Sequence, residues 1–85
     1  MIEKEVIIRS NKGIQSRVAS SLVRKAMRFE SNIHLSYDNK TADAKSLINV
    51  IALKLPKEAT LTITASGDDE ALAMNEMVKY LGGLG

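Results

Sequence analysis

Three segments of the chain alternate apolar with polar residues, and this alternation limits the folds that the chain can adopt. The segments are residues 2–9, 33–37 and 60–66. Because successive side chains of a β-strand point to opposite faces, each segment predicts a strand with one apolar and one polar face. Asp38 and Asn39 tolerate positive φ and connect the second segment to residues 40–43 as a β-hairpin. The pattern therefore predicts a mainly antiparallel sheet with one face exposed to water.

Three amphipathic helices are predicted to cover the apolar face of that sheet. Residues 16–30 carry apolar side chains at i, i+4 spacing, which is typical of a helix with one buried face. A short apolar helix follows Ser46, a residue type that caps helix N-termini, and ends at or before Pro56. The last helix is expected over residues 70–81, with Ala71 among its inward-facing residues.

The order β-α-β-β-α-β-α predicts one domain over residues 1–85. Its fold class is α+β: an open-faced two-layer β-sandwich in which an antiparallel four-stranded sheet has all three helices on one face. The chain contains no cysteine, so a disulfide framework and a cysteine metal site are excluded, and we predict no metal and no cofactor. Residues 1–10 lack the apolar core of a signal peptide, and no apolar run approaches the roughly 20 residues of a membrane span. We therefore expect a cytoplasmic protein without membrane contacts.

Positive charge is concentrated in the first third of the chain. Seven Lys or Arg and only two Glu occur up to Arg28, although the whole chain has a net charge of +2. Ser16 and Arg17, with Lys12 and Gly13 just before them, mark a helix start that favours anions. Gln15 would face that field, but an amide nitrogen is neither basic nor nucleophilic at neutral pH. The sequence thus predicts a helix start that could bind a phosphate group but that has no nucleophile to accept one.

Two short motifs resemble those of the HPr family, the small phosphocarriers of the bacterial sugar phosphotransferase system. Residues 13–17, Gly-Ile-Gln-Ser-Arg, resemble the active-site turn of the family. Residues 44–48, Ala-Lys-Ser-Leu-Ile, resemble its regulatory-serine segment, and residues 62–71 are similar to its last strand and helix start. The resemblance covers essentially the whole chain and implies the HPr-like fold and no enzymatic activity.

Gln15 occupies the position of the family's phosphoacceptor histidine. This substitution resembles the Crh type, in which glutamine replaces the histidine and the serine is retained. The resemblance implies that HPr kinase/phosphorylase phosphorylates Ser46 and that the product serves a CcpA-type transcriptional repressor in carbon catabolite repression. Ser16, Val18 and Asn49 differ from the alanine, proline and glycine that the family usually has at these positions.

The remaining predictions concern the residues that a partner would contact. They comprise the start of the first helix and the regulatory-serine segment: Ser16, Arg17, Lys45, Leu47, Ile48 and Ile51. His34 is interpreted as a solvent-facing sheet residue. We also expect a monomer in exchange with a weak dimer, formed by swapping the strand of residues 2–9.

Two alternative functions remain open from the sequence. One is a working phosphocarrier protein HPr of the phosphoenolpyruvate-dependent phosphotransferase system. The other, more remote, is a basic nucleic-acid-binding module that uses Arg17, Arg24, Lys25 and Arg28. One Phe, two Tyr and no Trp leave little for base stacking, so direct nucleic-acid binding is not expected.

Overall fold

The computed structural model describes residues 1–9 and 14–83. These residues form four strands and three helices in the predicted order. The strands are β1 (Ile2–Ile7), β2 (Asn32–Tyr37), β3 (Lys40–Asp43) and β4 (Thr60–Ser66). The helices are α1 (Ser16–Ala26), α2 (Leu47–Ala52) and α3 (Glu70–Gly82). The predicted fold class, an open-faced α+β sandwich, is confirmed.

The four strands form one antiparallel sheet in the order β1-β4-β2-β3. Strand β4 lies inside the sheet, where Ile63 is opposite Lys4 of β1 on one side and Leu35 of β2 on the other. The predicted hairpin joins β2 to β3 through Asp38 and Asn39, whose φ values are 52° and 63°. Two consecutive positive φ values are characteristic of a type I′ turn, which matches the right-handed twist of the flanking strands.

The helices cover one face of this sheet and bury its apolar residues. Leu61, Ile63 and Ala65 of β4 are fully buried, whereas the alternate residues Thr62 and Thr64 are only half-buried on the other face. Helices α1 and α3 contribute most of the opposing layer of the core. Their buried residues are Ala19, Leu22, Val23 and Ala26 of α1, and Ala73, Met74, Met77 and Leu81 of α3.

Helix α1 ends earlier than its apolar pattern predicts. The pattern extends to residue 30, but the helix ends at Ala26, and the next backbone bonds run from Arg28 N–H to the Lys25 carbonyl and from Phe29 N–H to the Ala26 carbonyl. These are the tighter i to i−3 bonds of a 3₁₀ turn, which terminates the helix.

The inward face of helix α3 also differs in detail from the prediction. Ala71, predicted to point inward, is exposed, and Ala73 is buried instead. With about 100° of rotation per residue, Ala71 lies in line with the half-buried Val78, at the flank of the face that carries Met74 and Met77. The exposure of Ala71 follows from that position.

Candidate functional site

Gln15 immediately precedes helix α1 and occupies its N-cap position. Its backbone is extended (φ −98°, ψ 170°), and its carbonyl accepts the Ala19 N–H at 2.8 Å as the first intrahelical bond. The neighbouring Ile14 N–H donates to the Leu55 carbonyl at 3.1 Å, which ties this segment to the chain that follows α2. The Gln15 side chain is exposed, and it makes no capping bond within the described ranges. The backbone therefore holds Gln15 in place while its amide group faces solvent.

Ser16 and Arg17 form the exposed first turn of α1. Lys12 and Gly13, which the sequence analysis assigned to the same anion site, lie outside the described residues. The structure thus brings Gln15, Ser16 and Arg17 together at one helix start, as the motif predicts.

Ser46 is the N-cap of helix α2, and its predicted capping role is confirmed. Its Oγ accepts the Asn49 N–H at 3.4 Å, and its carbonyl accepts the Val50 N–H at 3.0 Å. A donor–acceptor distance of 3.4 Å is long for an N–H···O bond, so the hydroxyl is only weakly held. The Ser46 side chain is half-buried and lies beside exposed residues of α2.

The ammonium group of Lys45 is bound by a backbone carbonyl of another segment. Lys45 Nζ donates to the Phe29 carbonyl at 2.7 Å, and its backbone N–H donates to Asp43 Oδ1 at 2.9 Å. The long side chain therefore joins the segment before α2 to the turn after α1. Its expected part in anion or partner contact stays a prediction.

Helix α2 leaves most of its apolar side chains exposed. Val50 is its one buried residue, whereas Leu47, Ile48 and Ile51 are 39%, 79% and 45% exposed. Met27, which the periodic pattern places on the buried face of α1, is 64% exposed. The apolar pattern of the sequence did not identify Met27 as an exposed residue.

His34 lies on the polar face of strand β2, opposite Asp43 of β3 and Thr64 of β4. Its side chain is exposed on the sheet face that the helices leave open, so the expected solvent-facing position is confirmed. In the part of the chain that the structure describes, no cluster of three or more His, Cys, Asp or Glu could hold a metal ion. Neither 1–9 nor 14–83 contains a helix that combines the length and apolarity needed to cross a bilayer.

The fold is that of a small open-faced α+β sandwich with an exposed helix start, and the comparisons with known proteins identify its family. The family model for the PTS HPr component phosphorylation site matches residues 2–82. The chain belongs to the HPr family. Proteins of this family are phosphocarriers rather than catalysts.

The relatives of the chain include both types named in this family. It is 33% identical to the HPr-like protein Crh of Halalkalibacterium halodurans over 81 residues, which are 95% of this chain and 96% of that protein. It is 35% identical to the phosphocarrier protein HPr of Buchnera aphidicola subsp. Schizaphis graminum over 81 residues, 95% of each chain. Overall identity therefore does not separate a Crh-type protein from an HPr.

Solved structures of both types share the fold. The crystal structure of HPr-C-His from Thermoanaerobacter tengcongensis matches with a TM-score of 0.91 and 31% identity, over 95% of this chain and 91% of that one. The crystal structure of Crh from Bacillus subtilis matches with a TM-score of 0.80 and 30% identity, over 100% and 98% of the two chains. That structure showed a swapping domain in a dimer.

Proposed function

We propose that this protein is a regulatory member of the HPr family, of the Crh type, which accepts phosphate on Ser46 and not at position 15. The observation that carries the proposal is the exposed Gln15 side chain at the start of α1. The motif around it matches the active-site turn of the family, in which this position is a histidine.

A glutamine cannot perform the phosphoryl transfer that a histidine performs there. The lone pair of an amide nitrogen is delocalised into the carbonyl group, so it does not attack phosphorus, whereas a neutral imidazole nitrogen does. His34 does not replace it, because its side chain is on the open face of the sheet and not in the helical layer. The helix start would keep its shape and its Arg17 charge without carrying phosphate.

Ser46 has the features of a modification site. Among the described residues, its hydroxyl is held by the long bond from Asn49, and an N-cap bond is typically worth about 1 kcal/mol to its helix. A phosphoryl group would add about −1.5 to −2 charges at pH 7. Regulation would then act through a new charge on the surface while the fold stays the same.

The proposed partner surface combines the start of α1 with the exposed side of α2. Helices α1 and α2 pack against each other, so Ser16 and Arg17 share one layer with Leu47, Ile48 and Ile51. An exposed apolar group rimmed by charge is typical of protein–protein contact sites. From the family resemblance, we propose HPr kinase/phosphorylase and a CcpA-type repressor as the partners.

Two phosphorylation assays test this function. The protein is incubated with ATP and an HPr kinase/phosphorylase, and separately with phosphoenolpyruvate and the general phosphotransferase components, and the phosphorylated residue is located by mass spectrometry. We expect one phosphate on Ser46 in the first assay, none in Ser46→Ala, and none in the second assay. Binding of a CcpA-type repressor should then require phosphorylated Ser46. The Ser20→Ala variant serves as the matched control, since Ser20 lies within α1.

Two results would contradict the proposal. Label that is stable in alkali and lost in mild acid after the phosphoenolpyruvate reaction would indicate phosphohistidine and favour the phosphocarrier alternative. Phosphate on Ser16, Ser20 or Ser21, or equal repressor binding by wild type and Ser46→Ala, would leave Ser46 as a helix cap only.

A further inference from the structure

A groove of about 370 Å³ lies between helices α1 and α3, apart from the Ser46 segment. Its lining residues are Arg17, Val18, Ser21, Arg24 and Tyr80. The first four come from α1 and Tyr80 comes from α3. The volume is at the lower end of the range of small-molecule sites, which is about 300–1,000 Å³.

The α1 wall of the groove presents two guanidinium groups on one side of the helix. Arg17 and Arg24 are seven residues apart, so they lie about two turns, or about 10 Å, apart along the helix axis. Both side chains are exposed, and neither pairs with a carboxylate within residues 1–9 and 14–83. The half-buried Ser21 stands between them and adds a hydroxyl donor.

Tyr80 forms the α3 wall of the groove, and its ring is contacted by Lys25, which does not line the groove. Lys25 Nζ lies 5.0 Å from the centre of the Tyr80 ring, within the range of a cation–π contact. Lys25 Nζ is also 3.9 Å from Glu76 Oε1, so this carboxylate is engaged by Lys25. The groove thus keeps a positive lining, with a phenol on one side.

We propose that this groove binds a small phosphate monoester. Guanidinium groups match phosphate oxygens with paired N–H donors, and two of them neutralise a dianion. The Ser21 and Tyr80 hydroxyls can donate to further oxygens, and Val18 and the Tyr80 ring provide apolar surface for the carbon skeleton of the ester. Ser46 does not line this groove, which shares Arg17 with the proposed partner surface, and Arg24 is not part of that surface.

The test is a titration of the isotopically labelled protein followed by amide chemical shifts at a constant 150 mM ionic strength. The probes are glucose 6-phosphate, glucose as the neutral control and succinate as a dicarboxylate of equal charge. We expect saturable shifts centred on α1 and Tyr80 with glucose 6-phosphate alone. The Arg24→Gln variant should weaken binding at least tenfold, and Tyr80→Phe about threefold.

Arg28→Gln is the matched control, because it removes the same charge from the basic region without touching the groove. We expect its affinity to stay within twofold of wild type, and thermal melts to show that all variants are folded. Equal losses in Arg24→Gln and Arg28→Gln would overturn the site as non-specific charge attraction. Equal binding of succinate would overturn the phosphate assignment, and absence of saturable shifts with glucose 6-phosphate would overturn the proposal.

Discussion

At the scale of single residues, the backbone and the side chain of Gln15 have different roles. The backbone of Gln15 begins helix α1 as any N-cap residue does, with an extended φ, ψ and a carbonyl that accepts the Ala19 N–H. A glutamine side chain at this position, in place of the family's histidine, provides no nucleophilic nitrogen. On the proposed function, the fold stays intact while the phosphoryl-transfer reaction is lost.

Restoring the imidazole should restore part of the phosphoryl transfer. We expect the Gln15→His variant to accept acid-labile phosphate from phosphoenolpyruvate with the general phosphotransferase components, more slowly than a natural HPr because Ser16 and Val18 alter the helix start. Radiolabel incorporation measures the rate, and Gln15→Asn, which keeps an amide, is the control. No label in Gln15→His would mean that the other substitutions have also disabled the site.

Gly67 lies at a position where the backbone conformation and the closeness of Ser31 require glycine. Its φ is +152°, and a Cβ atom there would lie 2.6 Å from Ser31 Oγ and 2.7 Å from Ser31 Cα. We expect Gly67→Ala to lower the free energy of unfolding by about 2–3 kcal/mol through strain and overpacking. Urea denaturation measures the change.

Gly82→Ala is the control for Gly67→Ala. Among the described residues, a Cβ atom at Gly82 would meet Val6 Cγ2 at 3.5 Å, an ordinary contact. Its unfolding free energy should be unchanged or slightly raised. Equal losses in the two variants would show that close approach to Ser31 is not the cause.

At the scale of elements, Asp69 fastens the start of helix α3 to the segment before strand β2. It is the N-cap residue of α3, yet its carboxylate makes no capping bond. Instead it accepts the Ser31 hydroxyl, the Glu30 N–H at 2.9 Å and the Ser31 N–H at 3.0 Å. The Glu70 side chain accepts the Gly67 N–H at 3.1 Å and so closes the turn before the helix.

These bonds make the stability of the fold sensitive to acid. The hydrogen bond from the Ser31 hydroxyl, and then that from the Glu30 N–H, lower the pKa of Asp69 against a smaller opposing effect of burial. A carboxyl with a lowered pKa in the folded state stabilises above its unfolded pKa of about 3.9, and this stabilisation is lost as the pH falls through the folded value. We expect the melting temperature to fall below about pH 4 for this reason.

Asp69→Asn should be less stable than wild type at pH 7 and should show a weaker decline in acid. Some decline remains, because the Gly67 N–H and the N-terminal amine, 3.1 Å from Glu70 Oε2, lower the pKa of Glu70 as well. Melting temperatures from pH 7 to pH 2 measure both effects. The exposed neighbour Asp68, changed to Asn, is the control, and an identical acid decline in Asp69→Asn and wild type would contradict this explanation.

At the scale of the whole molecule, we predict that strand β1 is the element exchanged between copies. It lies at one edge of the sheet, and within residues 1–9 and 14–83 it pairs only with β4, so a second copy could supply an identical strand in the same register.

We expect a monomer at low micromolar concentration and a growing dimer fraction toward millimolar concentration. Size-exclusion chromatography with light scattering gives the masses. To test whether β1 exchange forms the dimer, labelled and unlabelled protein are mixed and the appearance of mixed dimers is followed. A single monomer mass over the whole range would contradict this prediction.

Much of this architecture could be predicted from the sequence because its causes are local. Strand faces follow from alternation over a few residues, as in Leu61 and Ile63, and the hairpin follows from Asp38 and Asn39, which accept positive φ. The capping role of Ser46 also depends only on residues within one helical turn. The family motifs are similarly short, so Gln15 could be recognised without coordinates.

Other features depended on contacts between residues distant in the chain. The strand order β1-β4-β2-β3, the Lys45 ammonium bond to the Phe29 carbonyl, and the groove between Arg24 and Tyr80 are of this kind. The Asp69 carboxylate likewise binds Ser31, 38 positions earlier in the chain. The periodicity of a sequence indicates which face of a helix or strand is apolar. The partner of a polar side chain depends on which other elements pack beside it, and this is set by the tertiary structure.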